Sequence, residues 1–321
     1  MARGSVQTVE GPPTMKRRSF LKKGTAVAVA VSGAGTLTAT LSRRAAAAAP
    51  GVPAAIRDLK PGEHQNVRMQ RDLYRALAKP VEQRKWAMVI DARRCIGCDA
   101  CTVACIAENG LPPGVSYRTV AKVESGTFPN VQGWFMPTNC MQCDKPPCMP
   151  AANAVSPGAI SKRPDGIVAV DYEKFNRQAF EAAAKACPYK GALYFDKGQY
   201  WTQGTPALQA YETRPKTEYG RAWTRTNGAL PIGAGRKCHF CIQRIEAGLI
   251  PACVTTCIGG AMYFGDANDA ESLVSELQGQ QKPMRLNESL GTQPNVYYIG
   301  AASRQTMPTS TPESCQACHG R

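Results

Sequence analysis

Histidine is scarce in this chain of 321 residues, occurring only at His64, His239 and His319. No Ser/His/Asp set, phosphate-binding loop or paired-carboxylate site stands out beside them, which weakens any reading in which the chain is itself a catalyst. Long apolar runs are missing as well. After residue 49 no stretch approaches the roughly 18 apolar residues of a membrane-crossing helix, so the mature chain reads as water-soluble. Acidic residues are outnumbered, 24 Asp and Glu against 39 Lys and Arg, for a formal net charge of +15. No aromatic-and-basic RNA motif accompanies that excess, so it is not read as nucleic-acid binding. Part of it is local: the first 49 residues hold eight Lys or Arg and one Glu, leaving 31 basic and 23 acidic residues in the remainder.

What the chain does have is cysteine, 14 in all, and twelve of these fall into a pattern. CIGCDACTVAC supplies Cys95, Cys98, Cys101 and Cys105; CMQCDKPPC supplies Cys140, Cys143 and Cys148. ACPYKGA holds Cys187, and CHFCIQRIEAGLIPACVTTC supplies Cys238, Cys241, Cys253 and Cys257. The first run has the C-x2-C-x2-C-x3-C spacing of bacterial ferredoxins, in which three cysteines bind one cubane and the fourth crosses to another. The crossing rule predicts three [4Fe–4S] clusters: Cys95, Cys98 and Cys101 with Cys257; Cys238, Cys241 and Cys253 with Cys105; and Cys140, Cys143 and Cys148 with Cys187. C-x2-C pairs also make tetrahedral zinc sites, and an exported chain could carry a disulfide framework. The tight triple spacing of Cys95, Cys98 and Cys101 favours the cubane. Each oxidised cluster with four thiolates carries a charge of about −2, which would offset much of the basic excess.

One place in the pattern carries no cysteines. If Cys187 ends a run spaced like the first, its missing partners fall at Arg177, Phe180 and Ala183, and the fourth position of the second group falls at Ala152. Those four positions would have built one cluster. A whole ligand set is absent and no thiol is stranded.

Residues 15–23, MKRRSFLKK, resemble a twin-arginine export signal, followed by a mild apolar stretch from Gly24 to Ser42 and a small-residue zone suited to cleavage near Ala49. Such export carries folded proteins, which suits clusters inserted before the chain leaves the cytoplasm. At the far end ESCQACHGR places Cys315, Cys318 and His319 in C-x-x-C-H, the attachment signature of a c-type haem. Both thiols would bond the haem and His319 would be the proximal ligand; a Cys315–Cys318 disulfide is the alternative. His64, Met307 or a partner residue are the candidates for the distal ligand, while His239 lies inside a cluster motif and reads as structural.

The predicted organisation is a signal peptide over 1–49, a lead segment over 50–85 with a helix near Val67–Leu77, a cluster domain over 86–300, and a flexible tail over 301–321. Trp86–Asp91 reads as a strand, Asp99–Glu108 as a helix stopped at Asn109-Gly110, Gly166–Asp171 and Pro294–Gly300 as strands, and 269–279 as a short helix. Tyr172–Ala186 has one apolar face, expected to fill the place of a fourth cluster. Residues 198–236 are an insertion without clear periodicity, read equally as a docking element or as an excursion packed on its own domain.

The order CIGCDACTVAC, CMQCDKPPC, ACPYKGALYF and CxxC–QRIEAGLIPACVTTC–GGAMYFGD, covering about Trp86 to Gly300, resembles the iron–sulfur subunit of the dimethyl-sulfoxide-reductase and polysulfide-reductase type. The resemblance implies an α+β fold of two interleaved ferredoxin-like units carrying a wire of clusters. It implies a molybdopterin-type or related catalytic subunit and a quinone-reactive integral membrane subunit as partners. It also implies that the absent cluster is the one nearest the membrane subunit, and Ile258 stands where a proline often follows the last cysteine. Subunits of sulfite-reductase-associated complexes, which combine such a protein with c-type cytochromes, are one candidate subfamily. The function expected is electron transfer within a membrane-associated respiratory complex, on the periplasmic side and held to the membrane through its partners; a free-standing periplasmic carrier is the alternative.

Overall fold

The helix that opens the ordered core, α1 (Gln65–Leu77), begins where the His64 imidazole accepts a hydrogen bond from the Asn66 backbone N–H at 3.3 Å. Its buried apolar residues Met69, Leu73, Ala76 and Leu77 recur at helical spacing, so one stripe faces inward. The computed structural model describes residues 64–113, 115–198, 208–226 and 228–300. The export signal, the lead segment up to residue 63, residues 199–207 and the tail with Cys315, Cys318 and His319 lie outside the described residues.

After α1 come β1 (Trp86–Asp91) and α2 (Ala100–Asn109), which ends on Gly110 in the left-handed conformation. A hairpin of β2 (Thr119–Ser125) and β3 (Gln132–Thr138) follows, then α3 (Cys148–Val155) and a second hairpin of β4 (Ile160–Lys162) and β5 (Val168–Val170). Next are α4 (Arg177–Ala186), capped by Asn176 Oδ1 accepting from the Ala179 N–H at 3.0 Å, and β6 (Leu193–Phe195). The insertion forms a third hairpin, β7 (Lys216–Glu218) with β8 (Arg221–Trp223). The chain closes with β9 (Gly235–Lys237), α5 (Ile242–Glu246), α6 (Ala252–Thr255), β10 (Met262–Asp266), α7 (Leu273–Gln281), β11 (Met284–Arg285) and β12 (Val296–Ile299).

The largest sheet has the order β10-β1-β12-β11. Strand β1 pairs antiparallel with β10, Trp86 opposite Asp266, and parallel with β12, Met88 opposite Val296. A central strand covered on both faces favours apolar residues, and Trp86–Ile90 are apolar and buried while the terminal, buried Asp91 is paired with Arg93 at 2.8 Å. Helices α1 and α7 pack on β10. The Phe264 N–H meets Met69 Sδ at 3.1 Å, and Asp72, buried in α1, accepts the Leu273 N–H at 2.8 Å. The helix of the lead segment therefore shares the core of the cluster domain.

The strand over 166–171 is shorter than predicted because Asp165 and Gly166 turn the chain back to Arg163. The late helix starts at Leu273 because Ser272 Oγ accepts the Ser275 N–H at 3.1 Å. The hairpin β2–β3 was not anticipated.

Candidate metal centres

The leading C-x-x-C turn of each of the three cysteine groups is built the same way. Its third residue, Gly97, Gln142 or Phe240, has a positive φ of 68°, 49° and 56° respectively. This turns a backbone N–H toward the leading sulfur: the Phe240 N–H points at Cys238 Sγ at 3.5 Å, and Gly97 bonds Cys95 likewise. Glycine adopts this conformation freely, whereas for Gln142 and Phe240 it carries strain of about 1 kcal/mol or more. Gln142 is held there by its own side chain, which accepts the Val168 N–H at 2.8 Å and donates to the Cys238 carbonyl at 2.6 Å.

The twelve cysteines predicted as ligands are all free thiols. Cys95 lies within electrostatic reach of Cys98 and Cys257, and Cys101 of Cys257. Cys241 lies near Cys253, Cys105 and Cys238, and Cys187 near Cys140, Cys148 and Cys143. The structure thus brings the twelve thiols within reach of one another, members of each expected set among them. Cys101 also lies within electrostatic reach of Cys253, and Cys238 of Cys140. In the first set Cys98 is exposed and Cys95 and Cys257 are half-buried, while the set of Cys140, Cys143, Cys148 and Cys187 is wholly buried. Among the described residues no three His, Cys, Asp or Glu side chains converge closely enough to hold a single metal ion.

Burial pushes the thiols of Cys101, Cys148 and Cys238 up to about 11 and those of Cys105 and Cys143 up to about 12. Thiolates are what bind metal, so burial alone opposes ligation and cationic groups must offset it. Bound iron would do so. The chain adds donors of its own: Asn109 Nδ2 lies 3.6 Å from Cys105 Sγ, Asn139 Nδ2 3.7 Å from Cys238 Sγ, and the Ala261 N–H 3.2 Å from Cys257 Sγ. Arg118, buried to 1 % exposure, brings Nη2 to 3.7 Å from Cys253 Sγ and 2.9 Å from Met88 Sδ. Its Nε and Nη1 are buried and find no hydrogen-bond partner among the described residues. Orphaned cationic N–H groups beside grouped thiols are what a sulfur-rich anionic cofactor would satisfy, so the residues present fit iron–sulfur clusters.

The four positions without cysteine lie along one helix pair. Ala152 of α3 and Ala183 of α4 are fully buried, and the two helices pack directly together. Phe180 packs edge-on and tilted between Phe175 and Phe195, with ring centroids 6.3 and 5.6 Å away, and the Arg177 guanidinium covers Phe195 at 4.2 Å.

Sequence reasoning missed a buried ionic network from the insertion. Glu218 of β7 is 3.3 Å from Arg236 and 3.2 Å from His239 Nε2, and it also accepts from Tyr172. Arg236 reaches Asp196 at 3.2 Å, and Arg225 pairs with Asp196 and Glu212. His239 Nδ1 accepts the Ile242 N–H at 3.1 Å, so this histidine braces the Cys238–Cys241 turn. The described part of the insertion is therefore packed on its own domain. No periodicity marks such a network, since its members come from four separate segments.

The sequence profile described as the 4Fe-4S dicluster domain matches residues 131–210 and 229–267. The chain is 47 % identical to a subunit of the selenate reductase of Mesobacillus selenatarsenatis, over 88 % of this chain and 96 % of that protein. It is 33 % identical to a subunit of the tetrathionate reductase of Salmonella typhimurium, over 68 % and 73 % respectively. It is 32 % identical to the iron–sulfur subunit of an arsenate respiratory reductase from a Shewanella strain, over 66 % and 94 %.

Proposed function

The chain belongs to the family of iron–sulfur subunits of reductase complexes, and on that premise we propose that it wires electrons through three [4Fe–4S] clusters between a catalytic subunit and a membrane partner. It transfers electrons, and catalysis lies with other subunits. The observation that supports this reading is that twelve free thiols lie within electrostatic reach of one another. Each bound cluster would accept and pass on one electron.

The ligands would be Cys95, Cys98, Cys101 and Cys257; Cys105, Cys238, Cys241 and Cys253; and Cys140, Cys143, Cys148 and Cys187. Pairing of β1 with β10 and packing of α2 on α6 join the first and last cysteine groups, while packing of α3 on α4 joins the middle two. That nesting supports two interleaved ferredoxin-like units. A fourth cluster is absent on this reading, with Ala152, Ala183, Phe180 and Arg177 closing the place by side-chain packing. The first set lies nearest the surface, beside exposed Ile96 and Ile258, and would exchange electrons with a neighbouring subunit there.

The complex would act on an oxyanion, selenate being the first to try, through a molybdopterin-type catalytic subunit, with a quinone-reactive membrane subunit at the other end. The chain would be exported by the twin-arginine route to the periplasm. A c-type haem on Cys315 and Cys318, with His319 as ligand, would extend the wire toward a c-type cytochrome. Only a terminal segment reconciles the two assembly steps: clusters enter before export, and haem is attached to unfolded chain outside. Iron, acid-labile sulfide and haem analysis of the native complex, with identification of its co-purifying subunits, tests the whole reading. About twelve cluster irons per chain, haem mass on the tail, and a bound catalytic subunit are expected. About sixteen irons would refute the cluster count, no haem mass would remove the haem, and a chain that purifies alone and accepts electrons from soluble donors would make it a free carrier.

A further inference from the structure

Arg118 is a cation placed where two of the three thiol sets meet. Its side chain is buried, its Nη2 donates to Cys253 Sγ at 3.7 Å, and its charge acts on Cys253, Cys101 and Cys238. Cys253 and Cys238 belong to the middle set, and Cys101 to the set nearest the surface. No carboxylate is bonded to Arg118 among the described residues: its polar contacts are Met88 Sδ and Cys253 Sγ, with Nε and Nη1 unsatisfied. A buried guanidinium without a carboxylate is costly to keep, and an anionic partner must compensate for it. Among the described residues Lys237 is the cation that acts on Cys143 and Cys148 of the Cys140, Cys143, Cys148 and Cys187 set.

We propose that Arg118 sets the reduction potentials of the two clusters it separates, raising that of the Cys105–Cys238–Cys241–Cys253 cluster most and that of the Cys95–Cys98–Cys101–Cys257 cluster less, and leaving the third unchanged. This rests on the three-cluster reading. Clusters held at these cysteines would supply one-electron exchange, an electron leaving one and entering its neighbour, with no proton or atom moving. Reduction adds one negative charge, so a fixed positive charge favours the reduced form. The field is strong because the group is buried away from screening ions. The direct N–H to sulfur bond adds to the effect at Cys253, since hydrogen bonds to cluster sulfurs raise the potential. By bridging the two sets, one residue would keep electrons from stalling between them.

The test is an EPR-monitored redox titration of the cluster-loaded protein in its native complex, comparing parent with Arg118→Gln and Arg118→Lys. Signals are assigned by their loss in Cys98→Ser, Cys241→Ser and Cys140→Ser variants. In Arg118→Gln the reduction equilibrium of the middle cluster should fall at least tenfold, about 59 mV for a one-electron couple. That of the Cys98 cluster should fall by a smaller factor, and the Cys140 cluster should not move. Arg118→Lys keeps the charge but loses the planar fork, so it should restore the Cys98 cluster and leave the middle one lowered about threefold. If Arg118→Gln does not assemble, the Lys variant decides alone by the same pattern. Unmoved potentials, or an equal shift of all three, would overturn the proposal while leaving the clusters standing. Too little iron and sulfide in the parent would overturn it by removing its premise.

Discussion

Replacing Glu218 by Gln tests the buried network that braces the middle cysteine turn. Glu218 is fully buried; burial pushes its carboxyl up, but Arg236, His239 and Tyr172 overcome that and hold it down at about 2. Held that far below the ordinary 4.5, at about 1.36 kcal/mol per tenfold change in proton affinity, the carboxylate contributes about 3 kcal/mol. Breaking a buried ion pair typically costs ~3–5 kcal/mol. Arg236 keeps Asp196 at 3.2 Å, which places the loss at the lower end. For a chain of this size about 3 kcal/mol lowers the melting temperature by roughly 6–12 °C. The assay is anaerobic melting of the cluster-loaded protein, followed by cluster absorbance and by the fluorescence of Trp223, whose Nε1 donates to the Glu218 carbonyl at 3.2 Å. Because the folded pKa is depressed, the contribution is complete above about 4.5 and is lost as the pH falls toward about 2. The gap between parent and variant should therefore be full at pH 7 and narrow only below about 4.5. A variant melting within about 1 °C of the parent at pH 7, or a gap that widens on acidification, would refute the reasoning.

Three further outcomes are expected. Cys187→Ser should abolish the same EPR signal as Cys140→Ser and spare the other two; loss of the Cys238 signal instead would break the pairing. Gly97→Ala should lower the occupancy of the Cys95 site, measured as the ratio of its signal to the other two. Gly97 has φ +68°, and an added Cβ would lie 2.4 Å from the Phe135 ring, a strain of about 1–3 kcal/mol; unchanged occupancy would count against it. Arg17→Lys with Arg18→Lys should leave a cluster-bearing precursor in the cytoplasm, read by fractionation and absorbance, and export with clusters intact would remove the twin-arginine route.

The cysteine spacing itself was legible in the sequence, because one cubane takes cysteines a fixed few residues apart and its fourth ligand from a distant run, and all twelve are free thiols in the structure. Helix α2 was readable too, its stop written in Asn109-Gly110, and so was β1, since a strand buried on both faces reads as a nearly continuous apolar run, here Trp86–Ile90. Hairpin β2–β3 was not: exposed Lys122 and Glu124 and half-buried Val120 and Val123 make a weak alternation, and pairing rather than pattern holds it. Only Gly97 hinted at the left-handed third position of the C-x-x-C turns. Gln142 and Phe240 adopt it because contacts from distant segments hold them, which no local propensity records. The sequence by itself determined where the candidate metal-binding thiols fall, since ligation needs particular residues at particular short separations. Only the tertiary structure decided which charges surround them: Arg118 from the segment before β2, Glu218 from the insertion and Asn139 from the end of β3 reach the cysteine turns across long separations. Burial and field strength belong to the folded arrangement of many segments, not to any one of them.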